Sequence, residues 1–158
     1  MMLPGFSQSL SLENDDGPVA DGATVWLWGD LSNFIVSHIE VTNNSASAMD
    51  IICVREEISL VSGSTNYFCW DQCFDPSTDT SGILTINAGE TNENNFSGDY
   101  TAGGNPGTST IKYTFYDVNN PTDRVSFTAE YYGSPASVVD NQARRLIRPP
   151  LPWWWTTS

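Results

Sequence analysis

Positive charge is what this sequence has least of. Six of its 158 residues are lysine or arginine, one is histidine and 19 are carboxylates, a formal charge of −13. All the acids lie at or before Asp140, where only Arg55, Lys112 and Arg124 oppose them. Such a body repels phosphate backbones and anionic lipid, which argues against nucleic acid as a partner. A run of 18 apolar residues is missing too, so no transmembrane segment is expected. So is a whole signal peptide, because Met1 to Gln8 has no basic segment and too short an apolar stretch. This start is read either as the remnant of a trimmed export signal or as a plain N-terminal tail. Leucine, lysine, arginine and glutamine, the residues of stable helices, are scarce. Cys69 and Cys73 have no second metal-ligand pair to join them and the only histidine, His38, lies far away in sequence, so zinc is not expected.

Thr, Ser, Asn, Gly and aromatic side chains fill the space that helix formers leave, and these belong to pleated strands and tight turns. From residue 19 the chain reads as short strands broken by turn chemistry. Ala23 to Trp28 is one candidate strand. Phe34 to Thr42 alternates, with Ile35, Ile39 and Val41 opposing His38 and Glu40. Met49 to Glu56 is apolar on both faces and predicts a central strand. Ile58 to Val61 leads to an expected hairpin tip at Ser62-Gly63-Ser64, and Asn66 to Trp70 returns. Ile83 to Ile86 and Phe96 to Tyr100 follow. Ser109 to Asp117 and Arg124 to Tyr132 alternate cleanly across an expected five-residue connection, Asn119 to Asp123. Regular spacing of this kind predicts an all-β, immunoglobulin-like antiparallel sandwich of about seven to nine strands. The expected division is an N-terminal tail over 1–18, the sandwich over 19–133, and an irregular tail over 134–158. Pro149, Pro150 and Pro152 forbid helix or central strand in that last part. Three adjacent tryptophans, Trp153 to Trp155, cannot all face one core.

Reactive chemistry is sparse. Cys69-Trp-Asp-Gln-Cys73 has C-x3-C spacing, which is neither a zinc knuckle nor a thioredoxin-like motif. In an exported protein it reads as a disulfide closing a small loop, leaving Cys53 as a buried apolar residue. The alternative pairing is Cys53 with Cys69 across the Ser62-Gly63-Ser64 hairpin. His38 needs a nucleophile and an orienting partner to act as a base, and Ser37 points to the opposite strand face. Glu56 and Glu57, as sequence neighbours, cannot form a facing carboxylate pair. Asp117, Asn119 and Asp123 place oxygen ligands in one turn, and Asp71, Asp75 and Asp79 in another loop. Calcium takes such ligands, but Asn and Asp are ordinary turn residues as well. No cofactor is therefore expected, calcium at Asp117, Asn119 and Asp123 being the alternative. Gly103 to Gly107 lacks the lysine and the helix of a phosphate loop. Among Trp26, Trp28, Tyr67, Trp70, Tyr100, Tyr131 and Tyr132, some could build a stacking platform for sugars; most are expected to be core or strand-surface pairs.

The runs Asn66-Tyr-Phe-Cys-Trp-Asp-Gln-Cys-Phe74, Ile86-Asn-Ala-Gly89, Phe96-Ser-Gly-Asp-Tyr100 and Gly107 to Tyr116 with Asn119 to Asp123 together resemble a recurring pattern. It is similar to the immunoglobulin-like domains of Bacteroidetes-type secreted proteins, over roughly residues 8–133. In those proteins such a domain precedes a C-terminal sorting domain read by the type IX secretion system. The resemblance implies export, then release or attachment at the cell surface, and supplies no enzymatic residues. The Arg/Pro/Trp tail stands where the sorting domain would begin, as a frameshift or truncated gene would leave it.

The function expected from all this is a non-catalytic extracellular or cell-surface interaction or structural module, with a protein or glycan as partner. The alternatives are a carbohydrate-binding module using exposed aromatics, and a pilus or filament subunit completed by strand exchange at a sheet edge.

Overall fold

The computed structural model describes residues 8–136. Thirteen strands make up its elements. They are β1 Leu10–Asn14, β2 Gly17–Val19, β3 Ala23–Asp30, β4 Phe34–His38, β5 Glu40–Asn43, β6 Met49–Ser59 and β7 Thr65–Trp70. Then come β8 Gln72–Phe74, β9 Leu84–Ile86, β10 Thr91–Asn92, β11 Phe96–Thr101, β12 Gly107–Asp117 and β13 Asn120–Ser134. The fold is the expected immunoglobulin-like β-sandwich.

One layer is a five-stranded sheet in the order β3-β13-β12-β6-β9. A four-stranded sheet, β4-β11-β7-β8, and a second, smaller four-stranded one with shorter strands, β10-β5-β1-β2, supply the rest. Only Ile39 separates β4 from β5, so these two sheets are joined end to end by one nearly continuous stretch of chain. All pairings are antiparallel except that of β3 with β13, which is parallel. Inward residues of the layers form one apolar cluster rich in rings. Phe96 meets Phe115 and Tyr113 at 5.1 Å between centroids, edge to face in both cases. Tyr100 stacks on Tyr131 at 5.0 Å, and Trp70 reaches Phe115 at 5.2 Å. Such offset and T-shaped pairs add specific attraction to the burial of large apolar area.

The core carries polar atoms, and most are partnered, Ser37 Oγ being an exception. Asn66 Nδ2 donates to the Asp99 carbonyl and to Tyr113 Oη, each at 2.9 Å. Tyr131 Oη donates to the Gly98 carbonyl at 3.0 Å, and Ser109 Oγ to Tyr100 Oη at 2.9 Å. Arg55, nearly inaccessible, donates to the carbonyls of Asn66 and Pro76 at 2.5 Å each and to Asp79 Oδ1 at 2.8 Å. It thereby pins the 75–79 loop to β6.

Three sequence expectations change. First, the sandwich begins before residue 19. Leu10 and Leu12 are buried where β1 pairs with β5, a contact between distant parts of the chain that local pattern does not reveal. Residues 1–7 and 137–158, most of both expected tails, lie outside the described residues. Second, Ser62-Gly63-Ser64 is not a hairpin tip. β6 pairs with β12 and β9, and β7 with β11 and β8, so the turn carries the chain from one sheet to the other. Third, the β12–β13 connection is two residues, Val118 and Asn119, with Asp117 opposite Asn120 and a register shift beside it. Asp117 Oδ1 accepts from the Asn119 amide at 3.0 Å, which tightens the turn, and Pro121 falls in the irregular stretch where a ladder donor is not needed.

Candidate functional site

β3 reads Ala-Thr-Val-Trp-Leu-Trp-Gly-Asp. Period two sends Ala23, Val25 and Leu27 to the half-buried side and Thr24, Trp26 and Trp28 to the exposed side. Trp26 is 56% and Trp28 52% accessible, unusual for the largest side chain there is. Gly29 lets the strand end press against β4, since a Cβ there would lie 2.5 Å from Ile35 Cγ1.

β3 closes one side of the five-stranded sheet. β13 pairs with one edge of it, and among the described residues no strand pairs with the other. β2 stands at the end of the smaller sheet in the same way. Between these two edges runs a cleft of about 510 Å³, lined by Asp16, Pro18, Val19, Val25, Trp26 and Trp28 among others. The strand register fixes the neighbours of the tryptophans on the outward face. Trp28 lies beside Tyr132, Trp26 beside Glu130 and Thr24 beside Thr128. Glu130 Oε2 accepts from Thr110 Oγ1 at 2.8 Å, which leaves its other oxygen open. Carboxylates mark the ends of the strand. Asp21 Oδ1 accepts from the Ser126 amide at 2.9 Å. Asp30 sits below its ordinary pKa of 3.8, chiefly through the Ser32 hydroxyl that donates to it. Lys112, one row further along the outward face, stands opposite Glu56.

The other residues singled out by sequence lie elsewhere. Cys69 and Cys73 face each other across β7 and β8 and are joined by a disulfide. Cys53 is buried and free on β6, in the core, whereas Cys69 is only partly buried on a strand of another sheet. Burial pushes the Cys53 thiol well above its ordinary pKa. Asp117 Oδ1 is held by Asn119, and Asp123 Oδ1 accepts from the Ser9 amide at 2.9 Å, so these oxygens close a turn and anchor the start of β1. Asp71 Oδ1 accepts from Asn95, Asp75 from Ser77, and Asp79 from Arg55.

The exposed His38, on the edge strand β4, pairs in register with Ser97 of β11. Ser97 Oγ donates to Asp99 Oδ2 at 2.7 Å and so does not offer its proton to the imidazole. A serine, a histidine and a carboxylate therefore share a sheet surface without forming a relay. Of the aromatics, Trp70, Tyr100 and Tyr131 belong to the core, and Tyr67 meets Phe34 edge to face on the four-stranded sheet. Among the described residues, Trp26, Trp28 and Tyr132 form an outward row on adjoining strands. Glu130, Pro18 and Val19 were not singled out from sequence, because only the parallel β3–β13 pairing and the β1–β2 hairpin bring them to this edge.

No protein-family model matches the chain, and no curated protein matches it. Solved structures do. The N-terminal domain of PorA superposes with a TM-score of 0.66 at 15% identity, over 79% of this chain and 97% of that one. The human CEP192 ASH/PapD-like domain 7 reaches 0.46 at 10% identity, over 86% and 92%. CfaE, the adhesive subunit of the CFA/I fimbria of enterotoxigenic Escherichia coli, reaches 0.36 at 14%, over 81% and 50%. The PorA likeness establishes shared architecture.

Proposed function

We propose that this chain is a non-catalytic interaction module of an exported protein and that it engages its partner along β3. The observation that carries this reading is the pair Trp26 and Trp28, both more than half exposed on a strand whose outer edge has no partner among the described residues. Exposed apolar area beside an unpaired edge is what soluble folds ordinarily suppress, so its presence points to use. The Ser97 hydroxyl, which donates to Asp99 and not to His38, supports the non-catalytic part. The Cys69–Cys73 disulfide supports an oxidising, extracellular or cell-surface location. The sequence resemblance to Bacteroidetes-type secreted domains supports export, which in those proteins uses the type IX route. The Trp26, Trp28 and Tyr132 row favours a second reading, a glycan platform on the same face.

The test is retention of the purified chain on cell-surface and extracellular material of its own source. The Trp26→Ala/Trp28→Ala double variant should fold normally and lose retention. Equal retention of variant and parent would remove β3 from the interaction.

A further inference from the structure

Resting on that reading, we infer that the cleft beside β3 takes an extended, positively charged peptide segment, added as a strand to the edge that no strand among the described residues pairs. Three features select this occupant. First, β3 is eight residues long and carries neither proline nor lysine, two of the usual devices that block strand addition. Second, the site has two chemically different sides. A residue placed opposite Val25 would point inward, toward Val19, which lines the cleft and packs against the core. A residue placed opposite Trp26 or Trp28 would point outward, because cross-strand neighbours share a face. There it would meet an exposed indole with Glu130 alongside. An ammonium or guanidinium group is attracted to both, by the ring quadrupole and by the carboxylate. Third, Asp16, Asp21 and Asp30 surround the cleft and the ends of the strand, on a chain of net charge −13. The field favours a basic segment and repels a second copy of this chain. The ligand pattern is therefore alternation, apolar residues inward and lysine or arginine outward.

The probe is a nine-residue peptide alternating lysine and valine with blocked termini, added to the full chain. Two control peptides accompany it, one with glutamate for lysine and one with the same composition in two blocks. Affinity is measured by titration, and amide hydrogen exchange reports where the peptide sits. The alternating lysine peptide should bind, slow exchange over residues 24–29, and weaken as salt is raised. Trp26→Ala/Trp28→Ala should weaken it about tenfold, the scale of one or two lost cation–π contacts. Glu130→Gln should weaken it with the fold untouched, and the glutamate peptide should not bind. Equal binding of the block peptide without protection of β3 would mean charge attraction alone and overturn the inference. Protection of β3 by neutral oligosaccharides, or by self-association of the chain instead of the peptide, would overturn it too. If no peptide binds while the double variant still loses retention on extracellular material, the peptide class falls and the interaction reading stands.

Discussion

Tyr131 Oη donates to the carbonyl of Gly98 at 3.0 Å and lies 2.5 Å from the point a Cβ on residue 98 would occupy. Tyr113 Oη stands 2.7 Å from the same point. The absence of a side chain at residue 98 is what lets two buried phenols from the five-stranded sheet reach the backbone of β11. Gly98→Ala should therefore force both hydroxyls aside and destabilise the fold by about 1–3 kcal/mol or more, the range for overpacking a filled core. Gly82→Ala, where nothing lies within 4 Å, is the matched control and should change stability little. Urea unfolding of the two variants checks this.

Alkali should unfold the protein in a characteristic window. Burial raises the Cys53 thiol above its ordinary 9.0, and the Tyr113 and Tyr131 phenols above their ordinary 10.0. Below about pH 9 folded and unfolded chains hold these protons alike, and the stability is whole. Above it the unfolded chain releases protons that the folded chain keeps, so stability falls as pH rises, by about 1.4 kcal/mol per pH unit for each group. Melting temperature against pH should be level from 7 to 9 as far as these groups decide it, then decline. Tyr131→Phe should make the decline shallower whatever it does to stability at neutral pH.

Arg55 should matter more than its ion pairs with Asp79 and Glu57. Asp79 is 62% exposed, so in water its bond to Arg55 contributes about 1 kcal/mol or less. The buried carbonyl of Asn66 and the carbonyl of Pro76 also depend on the guanidinium. Arg55→Ala should cost about 2–4 kcal/mol, the sum of two acceptors losing their partner. Asp79→Ala should cost well under half of that. Arg55→Lys should not restore stability, because one ammonium cannot reproduce the fork. Chemical denaturation of the three variants orders them.

The cysteines should separate by chemistry. Cys53 should resist a thiol reagent in the native protein and react fully once the chain is unfolded, because both access and thiolate are denied it. Replacing both Cys69 and Cys73 by serine should lower stability by about 2 kcal/mol, the loop-closure scale for so short a link. A counted thiol assay with and without denaturant, followed by melting of the double variant, measures both.

How much of this was legible in the sequence depended on how local the cause was. Ile111, Tyr113 and Phe115 alternate with Lys112, Thr114 and Tyr116, and that pattern alone specifies an amphipathic strand. Leu10 and Leu12 alternate just as well, but Glu13-Asn-Asp-Asp-Gly after them reads as loop, and only β5 supplies the surface that buries them. The change of sheet at Ser62 to Ser64 was illegible for the same reason: two apolar strands about a turn look alike whether they pair with each other or with others. In β3 both faces are apolar, Val25 and Leu27 against Trp26 and Trp28, so pattern could not say which would be outside. The parallel pairing with β13 decides it.

Amide hydrogen exchange of the full chain, free and bound to its natural partner, tests the proposed contact most directly. Protection should appear over residues 24–29 of β3 and across the cleft at 17–19, and should be lost with Trp26→Ala/Trp28→Ala. Protection confined instead to the outward face of the four-stranded sheet, around Phe34, Tyr67 and Asp99, would contradict it.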